Sequence, residues 1–234
     1  MGPMTPASNT TGSLYIVATP IGNLGDMTYR AVDILGSVDY AAVEDTRVSG
    51  RLFTSYGINA RKVSYFEHNE KSRGPSIIKD LLGGKSVALI TDAGTPLISD
   101  PGYFLVNLAI ENGIDIVPIP GPSSIIAALS ISGFPAHSFC FEGYPPRTAG
   151  KLIRFFERLK DESRTIVLFE TPHRIKKCLT AMLEILGDRQ IFIARELTKK
   201  FEEKIRGVLS EVLEKFENSP AKGEMVVVIR GNSE

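Results

Sequence analysis

Short apolar runs alternate with stretches of helical periodicity along this chain, and that alternation narrows its fold more than any other feature. The runs at 14–18, 40–43, 86–90 and 114–119 are rich in Val, Ile, Leu and Ala, as strands buried on both faces of a sheet are, and 62–66, KVSYF, reads as a further short strand. Between them, Met27, Ala31, Ile34 and Leu35 share one helical face up to Gly36, with Asp26 placed as a cap. Val48, Leu52 and Tyr56 recur up to Gly57, and Ile77, Ile78, Leu81 and Leu82 precede Gly83-Gly84. A further helix is expected over 104–112. Strand, helix, strand in that order predicts a parallel sheet covered on both faces. The segment from Pro118 to Ser124, PIPGPSS, interrupts the pattern before an apolar helix at 125–130. The alternation then resumes with a basic amphipathic helix at 151–160 and a strand at 165–169. Thr171 is expected as the cap, with Pro172 at the first position, of a helix to 186. Strands at 191–194, 203–208 and 224–229 and a helix at 211–218 capped by Ser210 complete it. The expectation is two α/β domains, 13–122 and 123–234, each of ordinary domain size. Residues 1–12 lack a basic segment followed by an apolar one and read as a flexible tail.

The stretch from Ile90 to Tyr103, ITDAGTPLISDPGY, is the most unusual connection. Most connections in α/β units take about two to six residues, whereas this one places Gly94, Pro96, Pro101 and Gly102 within a dozen. Loops past the carboxyl ends of strands are where open α/β sheets bind ligands, so a ligand loop is expected here. Other polar clusters follow predicted strands: TPIGNLGD from Thr19, Glu44-Asp45-Thr46-Arg47, Glu67-His68-Asn69-Glu70, Glu170-Thr171-Pro172-His173-Arg174 and the run from Arg195 to Lys200. Gathered at one sheet end, their charges suit substrate orientation or proton removal. Asp45 and His68 are equally suited to capping the helices that follow them.

Composition excludes several classes. No apolar span approaches the roughly twenty residues of a membrane helix. Cys140 and Cys178 sit in apolar patterns without a CxxC, which fits passive thiols in a reducing cytoplasm. His68, His137 and His173 show no metal-ligand spacing, so no metal is expected. Gly22 and Gly25 miss the GxGxxG spacing, which leaves NAD binding, with Glu44 as the ribose acid, a weak alternative. Neither a P-loop nor a GxSxG elbow is present. Formal charge sums to zero, but residues 147–206 carry 15 Lys+Arg against 9 Asp+Glu, while 1–122 carry 9 against 12. A basic half permits a polyanion such as RNA without requiring one.

Eight blocks in order, VATPIGNLGD, AAVEDTR, EHNE, TDAGTPLISDPGY, PIPGPSS, FETPHRI, ARELTKKFEE and KGEMVVVI, resemble the tetrapyrrole methylase superfamily, and within it the branch that modifies ribosomal RNA. The resemblance covers nearly everything from Leu14 to Gly231. It implies two αβα domains with S-adenosylmethionine in a cleft between them, a homodimer, and methylation of a cytidine 2′-hydroxyl in the decoding region of small-subunit rRNA, within the assembled subunit. Position by position, it places the cofactor at Pro20, Asp92, Ala93, Gly94, Thr95, Ile98, Ser123, Ser124, Phe169, Ala194, Glu224 and Met225. Gly94-Thr95-Pro96 departs from the Gly-Asp-Pro of most members, as the rRNA branch does, which weighs against the alternative of a tetrapyrrole-like small-molecule substrate. A ribose hydroxyl is a poor nucleophile and needs a proton acceptor; Asp45 and His68 are expected before Glu170. Arg147, Arg174, Lys199 and Lys200 are expected to hold phosphates.

Overall fold

Two central strands of the first half, Tyr40–Val43 and Val87–Ile90, are apolar at every position because each faces two cores. In the computed structural model, which describes residues 11–218 and 222–232, β1 (Ser13–Val17), β2 (Tyr40–Val43), β3 (Arg61–Ser64), β4 (Val87–Ile90) and β5 (Asp115–Ile119) form a parallel sheet in the order β3-β2-β4-β1-β5. Leu14, Ala42, Val87 and Leu89 face α3 (Glu70–Leu82) and α4 (Tyr103–Glu111), meeting Ile77, Leu81, Leu105 and Ala109. The intervening Val17, Ala41, Val43, Ala88 and Ile90 face α1 (Tyr29–Ser37) and α2 (Thr46–Tyr56), meeting Ala31, Leu35 and Phe53. This is the period of two that a strand imposes. Each buried Val, Leu, Ile or Phe among them contributes about 1.5–3 kcal/mol by leaving water. Parallel pairing brings the five carboxyl ends to one edge, where Ser64, Val43 and Ile90 align and Val17 pairs with Ile119.

The chain divides into two compact units between Pro122 and Ser123. In the second, β6 (Phe139–Phe141), β7 (Thr165–Glu170), β8 (Gln190–Arg195), β9 (Glu203–Val208) and β10 (Met225–Ile229) take the order β6-β7-β10-β8-β9. Only β6 and β7 are parallel; the other pairs are antiparallel. The amino ends of β9 and β10 therefore lie beside the carboxyl ends of β6, β7 and β8. One face is packed by α6 (Ala149–Arg158), α7 (Ile175–Leu186) and α8 (Leu209–Asn218) through Leu152, Phe156, Leu179, Met182, Val212 and Phe216. α5 (Ser124–Ser132) lies against β10 and β8, leaving it to the opposite face, where Val226 and Val228 are buried.

Three local expectations are corrected, and one strand is added. Asp26 belongs to a short 3-10 turn, and Thr28 caps α1 by accepting from Ala31 N at 3.1 Å. Thr171 does not open α7; its carbonyl accepts from the N–H groups of Arg174 and Ile175, closing a turn first. Ser210 lies inside α8, where Asp188 accepts from its N–H at 2.8 Å and its hydroxyl at 2.7 Å. β6 was not anticipated. Residues 1–10 of the expected tail lie outside the described residues, while Gly12 N donates to Leu81 O at 2.8 Å. Both cysteines are free and buried. Among the described residues, no helix is long and apolar enough to cross a membrane.

Candidate functional site

Backbone pairing fixes the path of the β4–α4 loop. Thr19 N donates to Gly94 O at 2.9 Å and Gly94 N to Thr19 O at 3.0 Å, a bridge joining it to the turn after β1. The Thr19 hydroxyl adds a bond to Thr91 O at 3.3 Å, and Thr95 Oγ1 donates to Pro122 O at 3.2 Å. At the far end Glu70 Oε1 accepts from Gly102 N at 2.6 Å. Gly102 has φ 134°, and a Cβ there would lie 2.7 Å from Leu89 Cδ2. Leu97 and Ser99 hold left-handed φ of 73° and 64° without being glycine, at a cost of about 1–3 kcal/mol each. Such a strained path persists only where its surroundings dictate it. Of the residues expected at the cofactor, Pro20 and Gly94 are buried, Asp92, Ala93 and Ile98 are exposed, and Thr95 lies between. The hydroxyl of buried Thr91 has no partner among the described residues. Gly94 has φ 81°, and a Cβ there would reach Ile21 Cγ2 at 3.4 Å. Bare backbone and an unsatisfied hydroxyl fit a polar ligand held close to the chain.

Three carboxylates stand at the ends of β2 and β4. Asp45 caps α2, its Oδ1 accepting from Arg47 N at 2.7 Å, and its Oδ2 binds the Arg47 guanidinium at 2.7 Å. Those bonds hold Asp45 down to about 2, a poor proton acceptor. Asp92 Oδ1 accepts from Asp45 N at 3.1 Å, and Glu44 Oε2 from Asp92 N at 3.4 Å. Burial pushes both Glu44 and Asp92 above the usual carboxylate range, partly offset by those backbone bonds. A carboxyl raised on folding is unpenalised below its unfolded value, about 4.3 for Glu, and loses stability as pH rises through its folded value. Glu44→Gln should therefore match the parent Tm below about pH 4 and exceed it at neutral pH; calorimetry across that window checks it. His68 lies past β3 with its imidazole exposed, edge-on to Phe66 at 6.2 Å. It caps nothing: Asn69 holds this turn, its Oδ1 accepting from Phe66 N at 2.8 Å.

In the second unit the register sets Glu170, Met225, Arg195 and Glu203 in one row and Phe169, Val226, Ala194 and Lys204 in the next. Glu170 is only 1% exposed. Its Oε1 accepts from Thr171 N at 2.8 Å and its Oε2 lies 3.4 Å from the Arg174 guanidinium. Arg174 also donates to the carbonyls of Pro145 and Pro146. Burial, then the nearby Glu170 charge, pushes the Cys178 thiol well up, so this cysteine stays protonated. Phe169 packs between Phe141 at 5.0 Å and Tyr144 at 5.3 Å. Ser123 caps α5, accepting from Ile126 N at 3.5 Å, and Ser124 is its first residue.

The cations expected at phosphate divide in two. Arg174 is committed to Glu170 and two carbonyls, and Lys199 bonds Glu196 and Glu224, each at 3.0 Å. Arg147 and Lys200 are exposed. Sequence reasoning missed Glu70 and Glu196 as anchors; neither carries a local signal, because each acts on a backbone distant in sequence. Among the described residues, no group of three or more His, Cys, Asp or Glu could hold a metal ion.

A family profile described as tetrapyrrole (corrin/porphyrin) methylases matches residues 13–213. The chain is 49% identical over 226 residues to the ribosomal RNA small subunit methyltransferase I of Mesorhizobium japonicum, covering 96% of this chain and 77% of that protein. The Bacillus subtilis protein of the same name is 47% identical, covering 95% and 76%. Among solved structures, uroporphyrin-III-C-methyltransferase from Thermus thermophilus matches with a TM-score of 0.63 at 19% identity, covering 93% of this chain and 94% of that one. At that identity the likeness concerns the fold.

Proposed function

We infer the chemistry of this chain from its kinship: it belongs to the tetrapyrrole (corrin/porphyrin) methylases and is a methyltransferase that uses S-adenosylmethionine. Its substrate is small-subunit ribosomal RNA. What carries this reading is identity near one half, along nearly the whole chain, to two proteins named for that activity. The tetrapyrrole alternative has the breadth of the family and a fold likeness at 19% identity in its favour, against identity near one half for the ribosomal RNA reading. The finer reading is a cytidine 2′-hydroxyl of the decoding region as acceptor, inside the assembled subunit, with the enzyme a cytoplasmic homodimer needing no metal.

When bound, S-adenosylmethionine supplies a methyl group already activated by its sulfonium. The chain must then hold, orient and deprotonate. In the first unit, the bare backbone around Gly94 and the turn after Pro20 are the proposed holding surface, with Asp92, Ala93, Thr95 and Ile98 beside them. In the second, Ser123, Ser124, Phe169, Ala194, Glu224 and Met225 are the proposed contacts. Of the three expected proton acceptors, Glu170 is buried and paired, and Asp45 is held as an anion by Arg47. His68 keeps an exposed ring, and an imidazole is a stronger base than an ordinary carboxylate. We assign the proton to His68. Phosphate contact falls to Arg147 and Lys200, while Arg174 and Lys199 build the surfaces beside them.

Nucleoside analysis of small-subunit rRNA methylated by the enzyme tests the finer reading. One 2′-O-methylcytidine per subunit is expected; a base-methylated nucleoside would overturn it.

A further inference from the structure

All four left-handed, non-glycine residues among the described residues lie in two loops: Leu97 and Ser99 after β4, and Glu196 and Thr198 between β8 and β9. The second pair asks for a reason of its own. The turn at 196–202 is braced from below. Glu196 N donates to Glu224 O at 2.9 Å and Glu224 N returns to Glu196 Oε1 at 3.0 Å. Lys199 bridges the same two carboxylates, and Thr198 N donates to Glu202 Oε2 at 2.7 Å. Gly223 leaves room for the Glu196 side chain, since a Cβ there would sit 2.3 Å from Glu196 Cδ. The Thr198 hydroxyl is buried with no partner among the described residues. Strain and an unsatisfied hydroxyl in seven residues mark a turn not shaped for stability.

This braced turn presents Lys200 and Phe201. Phe201 is 69% exposed, the most exposed phenylalanine among the described residues, and the Lys200 ammonium lies 5.6 Å over its ring centroid. Lys200 has no carboxylate partner among the described residues. The turn springs from the sheet edge where β8 ends at Arg195 and β10 begins at Met225, beside Ala194 and Glu224. We propose that it is a nucleotide-docking element, with Phe201 stacking on an unpaired base of the RNA and Lys200 neutralising the adjoining phosphate. Every base offers a π-face to such a ring, and unpaired rRNA nucleotides are the ones that can be splayed out onto it. A cation beside the ring suits an anionic partner rather than an apolar one. This rests on the rRNA reading above.

Small subunits lacking the modification, with labelled S-adenosylmethionine, provide the test. Phe201→Ala should raise KM for subunits roughly tenfold with kcat kept, and Phe201→Trp should restore it. Phe201→Leu, apolar but without a π-face, should behave like alanine. Lys200→Gln should lower the slope of log Kd against log salt by about one, which Phe201→Ala should leave alone. A parental KM for Phe201→Ala, or full rescue by leucine, overturns the proposal. If the parent itself transfers nothing to subunits, the rRNA reading fails instead. An exposed ring has little bearing on folding, and an unaltered thermal shift with S-adenosylmethionine verifies that in each variant.

Discussion

His68→Ala slows methyl transfer by about a hundredfold and leaves S-adenosylmethionine binding unchanged: this is the first expected result, at the low end of what removing a positioned proton acceptor costs. Asp45 caps α2 and is pinned near 2 by Arg47, so it binds a proton poorly at neutral pH. Glu170 cannot be reached by an acceptor hydroxyl without unpacking β7. His68 stands exposed past β3, at the edge where the five carboxyl ends gather, and removing its ring breaks no hydrogen bond of the Asn69 turn. Asp45→Asn is the companion: asparagine keeps the cap, and transfer should stay within a few-fold of the parent. If His68→Ala transfers at the parental rate, the proton goes elsewhere, and Glu44 and Asp92, with carboxyls raised by burial, become the groups to replace next.

The largest loss of stability should come from Glu170→Ala. Removing one partner of a buried pair typically costs about 3–5 kcal/mol, because the other charge is left unpaired. Arg174 keeps part of its side chain in solvent and its two proline carbonyls, which lowers the expected cost to about 2–4 kcal/mol. Several degrees of Tm should go with it. The effect should spread to Pro145 and Pro146, whose carbonyls Arg174 holds, while Gly143 keeps its own bond from Phe169 N. Glu170→Gln keeps an acceptor for Thr171 N and should lose less. Calorimetry with a transfer assay on the same samples separates the roles. A fully stable but inactive Glu170→Ala would restore this carboxylate as a catalytic group.

Particular residues explain what the sequence could and could not disclose. The parallel first sheet was legible because β4 is buried on both sides at all four residues, which few other arrangements produce. The mixed second sheet was not. Inserting β10 between β7 and β8 is a long-range choice that no local pattern in Met225–Ile229 encodes. β6 escaped because three residues, Phe139–Phe141, paired only to β7, are too few for a periodicity. Thr171-Pro172 reads as a helix start, but Arg174 is drawn toward Glu170 and the proline carbonyls, and the helix waits a turn. At the candidate site, the Gly and Pro content of residues 90–103 announced an unusual loop. Its anchors, Glu70 on Gly102 and Thr19 on Gly94, belong to tertiary structure. Charge counting likewise found the basic half without showing that Arg174 and Lys199 each pair with carboxylates of the fold.

Transfer of labelled methyl from S-adenosylmethionine, compared across unmethylated small ribosomal subunits, naked small-subunit rRNA and a porphyrinoid precursor, tests the central claim most directly. Label in the RNA of the assembled subunits, with little in naked rRNA and none in the porphyrinoid, is the predicted result. Label in the porphyrinoid with none in either RNA would contradict it.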